Sequence, residues 1–269
     1  MKILFNNFIL VLFLTISLET TAQISTNRSF PPINGNKEDK KWYAHPDSTD
    51  FNFSISPDYF LLGTLNGYMG RKYSNPEENT IDSYKAATHL KRYIFDFIKN
   101  HYFTSPDSTD AYFIKDEKVA KKINSYFDQD GKIIPQELKD ENELYSYILG
   151  KYLVYGEHLD ENIYKIIIVN SFEGDLVYKS LKQIGCDKIL YKIYRGYIPT
   201  SQVYYFEATP RMIKFFKSFA NLKDKISHES ILSYLEIRSI STLNDIKRMR
   251  NESKNKEFNR IKAAFSNDR

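Results

Sequence analysis

The hydrophobic period of this 269-residue chain changes near residue 160, and that change constrains the fold more than any single motif. Before it, apolar residues recur every three or four positions; after it, β-branched and aromatic residues gather in short runs. Ser56-Pro57-Asp58 opens a helix with a capping hydroxyl, a proline in the first turn and an acid at the positive end of the dipole. That helix is expected over 57–73, with Leu61, Leu65, Tyr68 and Met69 on one side. A second is expected over 81–102, where Tyr84, Ala87, Leu90, Ile94, Phe97 and His101 form an apolar stripe, and shorter ones over 116–125 and 136–155.

Residues 164–172, 188–198 and 202–207 read as strands. Leu176, Val177, Leu181 and Ile184 form a short helix between the first two, which Gly185 terminates. Thr209-Pro210 opens another helix, carrying Met212, Phe215, Phe216 and Phe219. The expected fold is therefore α+β: a helical N-terminal half packed with a small mixed or antiparallel sheet in the C-terminal half.

At the N-terminus, Met1-Lys2 is followed by an apolar run over 8–18 and by the small residues Thr20-Thr21-Ala22. This is the pattern of a cleavable export signal over 1–22, cut between Ala22 and Gln23. The run is too short for a transmembrane span, which needs about 20 apolar residues, and no later run approaches that length. Residues 23–57, broken by Pro31, Pro32, Gly35, Pro46 and Pro57, read as an extended segment. A single globular α+β domain is expected over 58–243, since 140–160 offers no proline- or glycine-rich linker. Residues 244–269 read as a basic, solvated C-terminal helix or tail.

Export places the mature chain in the periplasm or outside the cell, where nucleic acid is not an expected partner. The single cysteine, Cys186, excludes an internal disulfide and reads as a small buried residue. A net charge of +4 permits attraction to acidic surfaces without requiring it. The 21 Tyr and 19 Phe stand against one Trp, so the aromatics read mainly as core, with a weaker indication of a glycan surface. Pro46-Asp47-Ser48-Thr49-Asp50 recurs as Pro106-Asp107-Ser108-Thr109-Asp110, and both copies read as turns.

Two local patterns bear on chemistry. Residues 126–137 resemble an EF-hand calcium loop, with Gly131 at the sharp turn, Asp128 and Asp130 at ligand positions and Glu137 at the closing one. Tyr126 replaces the first acid, and Asp130-Gly131 is also a hairpin turn that needs no metal. Glu157, His158 and Glu161 concentrate titratable groups, and on a helix His158 and Glu161 would share a face as an acid/base pair. A helix end followed by a polar loop accounts for the same residues.

There is no G-x-S-x-G elbow, paired-histidine zinc motif or phosphate loop. Gly63 and Gly67, four residues apart, suit close helix packing instead. The expectation is a non-enzymatic exported protein that binds a protein, small-molecule or glycan partner. A carboxylate-based hydrolase using Glu157, His158 and Glu161, and a calcium-stabilised loop, are the alternatives.

Overall fold

A computed structural model describes residues 54–67, 71, 79–84, 87–107, 109–110, 112–134, 138, 140–195, 199–237 and 242–267. The expected signal peptide and the extended segment through residue 53 lie outside the described residues, as do Tyr68, Met69 and Glu137. The elements run α1 (Pro57–Thr64), β1 (Thr80–Ser83), α2 (Thr88–Tyr102), β2 (Phe113–Lys115), α3 (Glu117–Asn124) and α4 (Glu141–Tyr155). They continue β3 (Gly156–Asp160), β4 (Ile163–Val169), α5 (Gly174–Gln183), β5 (Ile189–Tyr194) and β6 (Ser201–Glu207). Three helices follow: α6 (Pro210–Ser218), α7 (Ala220–Ile237) and α8 (Leu243–Asn267).

The fold is α+β, with helices spread across the chain and two small antiparallel sheets. Helix α4 is its axis. A capping box between Asp140 and Glu143 starts it, and every residue from Leu144 to Leu153 is buried. Helix α1 crosses it where Gly63 meets Gly150: a Cβ on Gly63 would overlap the Tyr147 carbonyl, and one on Gly150 would overlap the Phe60 carbonyl. The close-packing role read for Gly63 is therefore realised. Gly67 instead lies against the Glu173 and Ser171 side chains.

Several expectations are corrected: α4 begins at Glu141 rather than at 136, and Ser56 takes the N-cap position of α1 without a side-chain capping bond. Helix α1 stops at Thr64 rather than running to residue 73, because the Asn66 N–H donates to the Asp82 carboxylate at 2.5 Å. The region expected to begin a helix at 81 is strand β1, which pairs with β2 through Thr80–Lys115, Asp82–Ile114 and Ser83–Phe113. Ile81 and Tyr84 are buried, so their spacing fits the helical stripe without belonging to it.

The larger sheet has the order β3-β4-β6-β5, all antiparallel. Strand β3 was expected as a helix end and polar loop; it forms because Glu157 and His158 pair in register with Lys165 and Tyr164 of β4. On the inner face Tyr164, Ile166, Ile168, Tyr204 and Phe206 join the main core with residues of α1, α2, α4, α5 and α6. On the outer face Leu159, Ile163, Ile167, Val203 and Tyr205 pack against Phe258, Ile261 and Phe265 of α8.

The solvated reading of 244–269 is thus corrected for one side of α8. Burial of each of those three large side chains contributes about 1.5–3 kcal/mol as an upper estimate, and their spacing of three and four residues was a legible helical stripe within the charged run. No helix among the described residues is long and apolar enough to cross a membrane.

Candidate functional site

The turn after α1 covers a group of buried ionisable side chains. Lys151, on the buried axis helix, is wholly enclosed and pairs with Glu173 at 2.7 Å. Its Nζ also donates to the Leu65 carbonyl at 3.3 Å and lies 5.6 Å and 5.4 Å from the ring centroids of Tyr147 and Tyr155. Glu173 occupies the N-cap position of α5 without capping it, because its carboxylate turns inward to Lys151 and accepts from the Ser171 hydroxyl at 3.2 Å. The Tyr155 hydroxyl donates to the same Leu65 carbonyl at 3.3 Å.

Beside this pair, the Asp82 carboxylate accepts the Asn66 and Ser83 N–H groups at 2.5 Å and 2.6 Å. Burial raises the Asp82 pKa, against the pull of Arg71 and those two hydrogen bonds. Arg71 donates to the Ile81 carbonyl (2.6 Å), the Thr80 carbonyl (3.1 Å) and Asn124 Oδ1 (2.9 Å), and its backbone N–H reaches the Gly131 carbonyl at 3.0 Å. Burial pushes the Tyr84, Tyr147 and Tyr155 phenols upward, so they are neutral at physiological pH.

Above these groups lies a shallow, open cleft formed by residues 65–67 and Arg71, the 127–132 hairpin and the β4–α5 loop. Phe172 stands at the mouth with 58% of its surface exposed, and Lys132 Nζ lies 5.0 Å from its ring centroid. The charged groups of its floor, Arg71 and Glu173, are engaged within the protein, and the rim is aromatic and cationic.

The other expected residues lie elsewhere. Glu157 and His158 are on strand β3, not a helix, so their side chains take opposite faces of the sheet. Glu157 faces α8 and pairs with Lys165 (3.0 Å) and Arg250 (3.2 Å). Burial opposes its ionisation, but Lys165 and Arg250 outweigh burial and bring its pKa down to about 2. His158 stacks on Tyr164 with centroids 4.5 Å apart, and its Nε2 meets the Glu161 carbonyl at 2.9 Å. Glu161 sits at the hairpin tip with φ 48°, and its carboxylate pairs with Lys262 at 2.5 Å. The three residues do not converge on a shared reaction centre.

In the loop resembling an EF-hand, Asp128 Oδ1 accepts the N–H groups of Asp130 and Lys132, both at 2.9 Å. Phe127 bridges Ile133, and Gly131 has φ 75°, so the segment is a tight hairpin turn. Tyr126 points away from it to donate to Asp58 at 2.6 Å. Asp130 pairs with Lys132 at 3.4 Å. Glu137 lies outside the described residues. Among the described residues, no three His, Cys, Asp or Glu side chains converge as a metal site. Cys186 is buried, and burial pushes its thiol up to about 12.

Sequence reasoning missed Asp82, Lys151 and Glu173 as a group. One signal was available: Lys151 falls in the stripe of Leu144, Tyr147, Ile148 and Tyr155, a charged residue where helical spacing demands an apolar one. No protein-family model matches the chain, and no curated protein matches it.

Proposed function

We propose that the protein is exported and acts as a non-enzymatic binding protein, engaging an acidic partner across the Phe172–Lys132 rim. The observation that carries this reading is the contrast between rim and floor. The Lys151–Glu173 pair and Arg71 are engaged by neighbouring side chains and carbonyls, which suits them to holding the cleft's shape. Phe172 presents an exposed ring beside Lys132, whose solvent-exposed pair with Asp130 a uronate carboxylate next to an apolar sugar face would exchange for its own. An acidic peptide side chain beside an apolar one offers the same chemistry. Export rests on the charged start, apolar run and small residues of 1–22, and places this rim in the periplasm or outside the cell.

The test is titration of the full exported chain with uronate oligosaccharides and with acidic peptides. Phe172→Ala and Lys132→Ala are each expected to weaken binding at least tenfold, with the lysine variant also losing salt dependence. Binding to neither probe class, or binding indifferent to both substitutions, overturns the reading. N-terminal sequencing of protein recovered outside the cytoplasm is expected to begin at Gln23.

A further inference from the structure

Helix α7 supplies missing end groups to two other helices. Helix α2 has no acid in its first turn and no side-chain cap from Ala87, and α4 has no base in its last turn. Helix ends without such groups leave exposed dipole charge and unsatisfied backbone atoms. Glu229 of α7 accepts the Thr88 and His89 N–H groups at 2.8 Å and 3.0 Å. Lys223, six positions earlier, donates from Nζ to the Leu153 carbonyl at 2.9 Å.

The two attachments differ in their access to water. Glu229 is half-buried beside exposed backbone, whereas Lys223 is buried, with its Nζ 5.3 Å from the Tyr152 ring centroid. An ammonium carries three N–H donors. Among the described residues, the Leu153 carbonyl is the one hydrogen-bond acceptor that Lys223 reaches. That seat matches a neutral amine better than an ammonium, which would leave donors unsatisfied away from water.

Nearby charge does little to change this. Facing the amine are Tyr152 of α4, Glu157 of β3, Arg250 of α8 and, on α7 itself, the exposed Asp224. Glu157 is already engaged by Lys165 and Arg250, and Arg250 repels a further cation. Burial accordingly lowers the Lys223 pKa to about 7, with Glu157 and Asp224 opposing and Arg250 assisting.

We propose that α7 is a pH-sensitive clasp: its first turns sit on the end of α4 around a neutral Lys223 and lift away with proton uptake, while Glu229 keeps the helix attached to α2. The folded pKa lies below the ordinary lysine value of about 10.5, so the opened state binds more protons between the two values. Closure therefore strengthens as pH rises from about 7 towards 10.5 and is constant below about 7.

Chymotryptic cleavage after the half-buried Phe219, at the start of α7, reads the opening directly. For the full chain, with rates normalised to a control peptide, cleavage is expected to slow by up to about tenfold per pH unit from pH 7 to 9.5. Lys223→Met is expected to remove that slope. Glu229→Gln is expected to speed cleavage at every pH and keep the slope. An independent NMR titration of the wild-type lysine Nζ atoms guards against a variant that fails to fold. A Lys223 midpoint near 10.5, a flat wild-type cleavage profile, or the same slope in Lys223→Met overturns the clasp.

Discussion

Lys151 and Lys165 are both buried lysines held by carboxylates, yet they are held differently. Lys151 has one carboxylate, Glu173, and otherwise leans on a carbonyl and two aromatic rings. Lys165 lies between two, Glu157 at 3.0 Å on the neighbouring strand and Glu257 at 2.7 Å on α8. Glu257 also accepts the Tyr205 hydroxyl at 2.5 Å, so this second group ties α8 to the outer face of the sheet. The first pair secures a turn beneath a cleft; the second fastens a whole helix. A single partner makes the first brittle, and a shared carboxylate pair makes the second tolerant of one loss.

Substitution separates the two most sharply. Glu173→Ala leaves Lys151 enclosed without its counter-charge and is expected to cost about 3–5 kcal/mol in chemical denaturation. Glu257→Ala leaves Lys165 with Glu157 and is expected to cost less, about 1.5–3 kcal/mol, the worth of a charged hydrogen bond. Equal losses would show that α8 depends on its ion pairs as strongly as the turn does. Replacing both members, as Lys151→Met with Glu173→Leu, is expected to recover most of the first loss, because no buried charge then remains unmatched.

Acid titration probes the second group next. Glu157 has a folded pKa of about 2, below its ordinary value of about 4.5. The unfolded chain therefore binds more protons between those values, so stability from Glu157 is present above about pH 4.5 and is lost as pH falls towards 2. The melting midpoint of Glu157→Gln is expected to lie below wild type at pH 6 and to converge with it near pH 2. A constant difference across that range would show that the effect of the substitution is packing rather than charge.

Calcium gives the smallest expected effect. Asp128 already binds backbone N–H groups in a turn whose Gly131 carbonyl supports Arg71. Addition of calcium, followed by excess chelator, is expected to leave the melting midpoint unchanged. A rise with calcium that disappears in Asp130→Ala would make the cleft wall ion-dependent and link the first group to a metal.

The α+β class was legible because apolar period reports which face of an element is buried, as at Leu90, Ile94 and Phe97 or along β4 and β6. Turn chemistry was legible for Asp128 to Gly131, and the small-residue contact for Gly63. Strand β3 was not, since Gly156 to Asp160 is polar and gains its extended form from pairing with β4. The cleft was less legible still, because Asp82, Lys151 and Glu173 come from three elements far apart in the chain.

By itself, the sequence determined the alternation of helix and strand and the helix ends at Thr209 and Gly185, which depend on neighbours a few residues apart. Tertiary structure decided which charges are buried, that α8 covers the second face of the sheet, and that Glu157, His158 and Glu161 part company. A side chain's solvation and its partner are set by segments that meet only on folding, through hydrogen bonds such as Lys151 to Leu65 that span 86 positions.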